Sequence, residues 1–130
     1  MTQSRRQESK SIVGKPAPEF AAATLNGSAL VRLRELRGRP VLLDFWATWC
    51  APCRDQMPGL AKLYRDAKDK GLVLIGVNDD ETPEQAAAYL REHQYDWPTV
   101  YDHKDGALQR DFKVFGIPTL VLIDKDGIVT

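Results

Sequence analysis

The sequence predicts an α/β fold: a central mixed β-sheet with helices on its faces. Three observations carry this. Val41-Leu42-Leu43-Asp44-Phe45-Trp46 and Leu72-Val73-Leu74-Ile75-Gly76-Val77 are short apolar runs, the pattern of buried strands. Between them Met57, Leu60, Leu63, Tyr64 and Ala67 recur at helical spacing, so strand, helix and strand form a βαβ unit with parallel strands. Near the end, Leu120 to Ile123 is a strand, Asp124-Lys125-Asp126-Gly127 a hairpin turn, and Ile128-Val129-Thr130 the start of a return strand. That adds an antiparallel pair and makes the sheet mixed.

Taken in order, Ile12 to Pro18 carries Gly14, Pro16 and Pro18 and reads as an extended approach. Phe20 to Leu25 and Ser28 to Leu33 flank Asn26-Gly27, a strong hairpin signal. Arg32, Arg34, Arg37 and Arg39 interleave with Leu33 and Leu36, a solvated face over buried leucines. Gly38-Arg39-Pro40 turns into the first buried strand. Pro58 falls inside the following helical pattern and predicts a kink or an irregular turn there. Gly71 ends that helix. Asn78 to Glu81 is a loop. Thr82-Pro83-Glu84-Gln85 is a helix start, with a threonine cap, proline at the first position and glutamine three after the cap. This helix fades near His93. Trp97 to Tyr101 is a short strand, and Asp105 caps a short helix through Leu108 and Phe112. His93 and His103 are expected at the surface. Pro118 opens a strand, where proline is tolerated.

The chain has 130 residues, enough for one domain with a real core and too few for two. Hydrophobic content of 43% and charged content of 28% are ordinary for a globular protein. A formal net charge of zero favours neither nucleic acid nor an anionic membrane as partner. No apolar run approaches transmembrane length. Residues 1–11 are polar, lack the apolar core of a secretion signal, and read as a disordered leader or an expression remnant. The domain is expected over 12–130.

The chemistry lies in Trp49-Cys50-Ala51-Pro52-Cys53. After a turn at Ala47-Thr48-Trp49, both cysteines fall in the first turn of the helix. Unpaired N–H groups and the positive end of the macrodipole stabilise an anion there. Cys50 is the thiol that benefits. Its pKa would move from ~8.5 to roughly 7, and because nucleophilicity falls with pKa, attack gains only about threefold. Cys50 also becomes a better leaving group. Cys53, one turn on, can then attack a mixed disulfide at Cys50 and release the partner. Pro52 fits a first turn because its missing N–H would be an orphan there. Two other readings fit less well. Zinc needs about four ligands, and the chain has only two cysteines, with His93 and His103 distant in sequence. A purely structural disulfide closing so short a loop adds little stability.

The chain resembles the thioredoxin superfamily, and within it the TlpA/ResA-like thiol-disulfide oxidoreductases. The resemblance rests on Gly14-Lys15-Pro16-Ala17-Pro18-Glu19-Phe20, Phe45 to Arg54, Met57-Pro58 and Gly116-Ile117-Pro118-Thr119, and it covers roughly Ser11 to Thr130. It implies a thioredoxin-like fold with an N-terminal hairpin and an inserted helix-strand segment. It implies Cys50 as the attacking thiol and Cys53 as the resolving one. Pro118 would be a cis-proline facing the disulfide, Ile117 would tune the site and help hold an extended substrate segment, and Trp46 and Trp49 would flank it as apolar contact surface, beside Pro52. No dissociable cofactor and no metal are implied.

Two departures stand out. The subgroup carries glutamate three positions after the second cysteine, where this chain has Gln56; it often has asparagine where this chain has Asp44. Asp44 instead matches the buried acid of thioredoxin. Buried without a cation, it would have a raised pKa and could take the proton of Cys53. The alternative is an aspartate that reaches solvent. The family also completes a strand and a C-terminal helix beyond Gly127, so truncation at Thr130 and a poorly covered sheet face are expected.

The function expected is exchange of a Cys50–Cys53 disulfide with cysteines of partner proteins, as a reductase, fed by an upstream dithiol donor. A monomer is expected, with a membrane tether in a full-length protein, in an extracytoplasmic setting such as the bacterial periplasm; cytochrome c maturation is one role of such relatives. The alternatives are a cytoplasmic thioredoxin-like reductase, a peroxiredoxin-like peroxidase, and a non-enzymatic binding module. The peroxidase signature places Thr or Ser three before a lone cysteine; here Ala47 stands three before Cys50.

Overall fold

The computed structural model describes residues 11–103 and 106–130. The chain runs β1 (Ala21–Ala23), β2 (Leu30–Arg32), β3 (Val41–Trp46), α1 (Ala51–Ala67), β4 (Val73–Asn78), α2 (Pro83–His93), β5 (Thr99–Tyr101), α3 (Ala107–Asp111) and β6 (Thr119–Ile123). A 3-10 turn, Leu33–Leu36, follows β2, and another, Lys68–Lys70, follows α1. The central sheet has the order β5-β4-β3-β6. β3 pairs parallel with β4, β4 parallel with β5, and β3 antiparallel with β6. The mixed sheet is thus as the apolar runs predict. Most of residues 1–11, the expected leader, lies outside the described residues. Among the described residues, no helix is long and apolar enough to cross a membrane.

β3 is buried on both faces, so its apolar run is continuous rather than alternating. Val41, Leu43 and Phe45 join Ile75, Val77, Val121 and Ile123 in one core, closed by Leu33, Leu108 and Phe112. Leu42 and Trp46 face the other way, into a second core with Cys50, Cys53, Met57, Leu60, Ala61, Ala86, Leu90 and Trp97. Asp44 lies between Leu42 and Trp46 on that helix-bearing face. On the same face the register sets Leu120 opposite Asp44 and Leu122 opposite Leu42, and both leucines are exposed.

Several expectations need correction. The hairpin is shorter than its apolar pattern: Ala23 pairs with Leu30, and β1–β2 form a separate two-stranded sheet. Asn26 shapes its loop by accepting from the Ser28 N–H at 3.0 Å. Pro58 does not break α1, which runs unbroken from Ala51 to Ala67. Pro58 is exposed, and only the bond it would have donated to the Arg54 carbonyl is lost. Leu63 is exposed rather than core; Ala61 takes the inward position. Pro98 lacks the N–H a ladder needs, and β5 starts at Thr99. The return strand is reduced to bridges, Ile123 with Val129 and Pro16 with Ile128. His103 is half-buried, its Nδ1 3.0 Å from Asp79 Oδ1, while His93 is exposed as expected.

The capping box of α2 forms as read: Gln85 N–H donates to Thr82 Oγ1 and Thr82 N–H to Gln85 Oε1. Asp105, the expected cap of α3, lies outside the described residues. Asp102 does that work from the end of β5, accepting from the N–H groups of Leu108 at 3.0 Å and Gln109 at 3.1 Å. Burial raises the Asp102 pKa, and these two donors partly offset it.

Gly76 marks the closest packing in β4. A Cβ there would lie 2.8 Å from Thr99 Oγ1 and 3.0 Å from Trp46 Nε1. Gly76→Ala is therefore expected to lower stability by about 2 kcal/mol, because overpacking outweighs the gain in strand propensity. Urea unfolding monitored by circular dichroism reads this out.

Candidate active site

Parallel β3 and β4 end at the same edge of the sheet, and antiparallel β6 begins there, with Thr119 opposite Phe45. Residues 46–54, 78–82 and 115–119 therefore converge on one edge. Cys50 is the N-cap of α1: its backbone is extended, and its Sγ accepts from Cys53 N–H at 3.2 Å. Pro52 sits in the first turn, where no N–H is missed. Cys50 and Cys53 are joined in a disulfide, with Cα atoms 5.2 Å apart. Both are buried, Cys50 less so at 6% exposure against 1% for Cys53. The earlier cysteine is the more exposed of the two.

The Ile117–Pro118 peptide is cis, as the resemblance implies. Ile117 and Pro118 are half-buried, and Ile117 packs against both core clusters, one of which holds the two cysteines. Trp49 is 65% exposed and suits a contact surface. Trp46 does not. It is fully buried, its ring 5.8 Å from that of Tyr89 on α2, so it supports the edge from below. Strand alternation turns it inward, while Trp49 stands on the turn.

Asp44 is 1% exposed, and among the described residues neither carboxylate oxygen has a hydrogen-bond partner. The solvent-reaching alternative is excluded. Burial pushes its carboxyl from 3.8 up to about 7. Gln56, where the subgroup has glutamate, also buries an oxygen without a partner. Among the described residues no cluster of potential ligands could hold a metal ion.

Sequence reading missed three features. Phe115 is 81% exposed three positions before Pro118, an apolar side chain turned to solvent at the site's edge. It stands one residue before the Gly116-Ile117-Pro118-Thr119 motif, and no sequence signal singled it out. Arg54 reaches back to donate to the Thr48 carbonyl at 2.7 Å. Asp80 is fully buried, and its carboxylate accepts from the Thr48 N–H and hydroxyl. A plain loop reading of Asn78 to Glu81 gave no sign of this.

A bridged dithiol so placed defines a class, the thioredoxin-like thiol-disulfide oxidoreductases, and comparison with known proteins agrees. The chain is 37% identical over 121 residues to the thiol-disulfide oxidoreductase ResA of Bacillus thuringiensis subsp. konkukian, covering 93% of this chain and 69% of that protein. It is 34% identical over 118 residues to the thiol:disulfide interchange protein DsbE of Pseudomonas fluorescens biotype C, covering 91% of this chain and 64% of that protein. The solved thioredoxin domain of a thiol-disulfide oxidoreductase from Bacteroides vulgatus superposes with a TM-score of 0.81 at 32% identity, over 91% of this chain and 85% of that one. The AhpC/TSA family model matches residues 13–130, and the chain belongs to that family.

Proposed function

We propose that this protein reduces disulfides in partner proteins through Cys50 and Cys53. The observation that carries this is the bridged pair at the head of α1, on the face of β3 where Asp44 lies buried with no hydrogen-bond partner among the described residues. In the reduced enzyme the Cys50 thiolate attacks one sulfur of a partner disulfide. A Cys50–partner bond forms, and the partner's other sulfur leaves as a thiolate and takes up a proton. Cys53 then yields its proton to Asp44 and attacks Cys50 Sγ. The Cys50–Cys53 bond forms, the Cys50–partner bond breaks, and the partner's second sulfur leaves as a thiolate that takes up a proton, so the partner gains two electrons in all. A carboxyl with a pKa of about 7 can accept that proton at neutral pH. Trp49, Pro52, Ile117 and Pro118 frame the sulfurs and would hold an extended partner segment. An upstream dithiol returns the enzyme to its reduced form by the same exchanges.

Residues 12–130 act as one monomeric thioredoxin-like domain in this reading. An extracytoplasmic setting with a membrane tether, and a part in cytochrome c maturation, follow from the family resemblance.

Insulin reduction with dithiothreitol is the test, run beside hydrogen peroxide consumption. Wild type is expected to precipitate insulin chains and leave peroxide untouched. Cys50→Ser is expected to lose turnover on the order of 10³-fold. Peroxide turnover without insulin reduction would replace this reading with a peroxidase.

A further inference from the structure

Thr48 is held at both ends of its backbone by charged side chains from other elements. Its N–H lies 3.1 and 3.0 Å from the two Asp80 oxygens, and its hydroxyl donates to Asp80 Oδ1 at 2.7 Å. Its carbonyl accepts from Arg54 Nη1 at 2.7 Å. Asp80 is itself fixed. Asn78 Nδ2 donates to Asp80 Oδ2 at 2.9 Å, the Asp80 N–H donates to Asn78 Oδ1 at 2.9 Å, and the Tyr101 hydroxyl lies 2.8 Å from the Asp80 carbonyl oxygen and 2.7 Å from that of Glu81. One residue earlier, the Asp79 N–H donates to the Trp46 carbonyl at 3.0 Å. The β4–α2 loop thus clamps the turn that carries Trp49.

The backbone bonds at the two cysteines leave out Asp80, although Arg54 takes part in both sets. Cys50 N–H donates to the Ala47 carbonyl at 3.2 Å, Arg54 N–H to the Cys50 carbonyl at 3.1 Å, and Cys53 N–H to Cys50 Sγ. These belong to the turn and the helix cap and do not involve Asp80. Trp49 stands between the two systems, with its indole in solvent.

We propose that Asp80 is a positioning residue that presents Trp49 to protein partners while leaving the sulfur chemistry alone. A buried carboxylate with both oxygens engaged is a rigid anchor. Losing it frees the Ala47–Thr48 peptide N–H and the Thr48 hydroxyl, leaving Arg54 alone on the Thr48 carbonyl, and the helix cap stays intact. The consequence depends on the substrate. A folded protein lying across the indole feels a looser platform; a disulfide too small to reach it does not. The inference rests on the proposed exchange with protein partners.

Reduced protein is mixed with insulin, or with bis(2-hydroxyethyl) disulfide, and formation of the Cys50–Cys53 bond is followed. Asp80→Ala is expected to lower kcat/KM for insulin about tenfold, through KM, and to change the rate with the small disulfide less than about twofold. Thr48→Val removes only the hydroxyl bond; a loss of about threefold on insulin alone is expected, and it decides the matter should Asp80→Ala not fold. Unchanged insulin kinetics in a folded variant, or equal slowing with both disulfides, would overturn the proposal. A wild type inert toward insulin would instead remove the proposed function, and this inference with it.

Discussion

A Cys53→Ser variant is expected to stall with its partner covalently attached. Cys50 keeps its place at the helix N-terminus and still attacks a disulfide, but no second sulfur follows. Turnover with insulin should fall on the order of 10³-fold, while an adduct stable without reductant accumulates on a non-reducing gel and dissolves with dithiothreitol. The expected order of attack rests on burial, with Cys50 6% exposed and Cys53 1%. An adduct that forms on Cys53 in Cys50→Ser, and none in Cys53→Ser, would reverse the assignment.

Asp44 gives the second large effect, and it is on stability. Its folded pKa is raised from 3.8 to about 7, so between those values the folded state keeps a proton that the unfolded chain has released. Stability from this group is complete below about pH 4 and is lost as pH rises through about 7. Relative to Asp44→Asn, which does not titrate, the oxidised wild type should lose about 4 kcal/mol over that window and then level off. Urea unfolding of both proteins from pH 4 to 8.5, with the disulfide intact, gives the difference directly. Parallel curves would show that burial leaves the Asp44 pKa at its unfolded value. In the reduced enzyme the same substitution is expected to slow resolution of the mixed disulfide about tenfold near pH 7 and to remove its pH dependence. The two measurements separate the cost of burying the acid from its use.

Much of this was legible because the local signals agree with the tertiary ones. Val41 to Trp46 reads as a buried strand and is one. Thr82 and Gln85 read as a capping box and form one. The dithiol is recognisable from spacing and from its place between strand and helix. What escaped the sequence depends on through-space partners. Asp80 and Thr48 are separated by 32 positions, and no local pattern pairs them. Asp102 reaches the first turn of α3 from the end of β5, six and seven positions before the N–H groups it accepts from, and no local pattern points to it. Trp46 and Trp49 look alike in sequence, yet one ends a strand and turns inward while the other stands on a turn. Pro58 is tolerated because it lies on the exposed side of a helix whose inner face is already anchored by Met57, Leu60 and Ala61.

The antiparallel placement of β6 has a consequence for biosynthesis. A ribosome releases both sulfurs with β3 and α1, while Ile117, Pro118 and β6 come near the end of the described chain. The nascent polypeptide thus passes through a stage in which the dithiol already heads its helix and the loop that frames it does not yet exist. Thiols at that stage are open to any oxidant at hand, and they acquire their selective surroundings only when β6 docks beside β3.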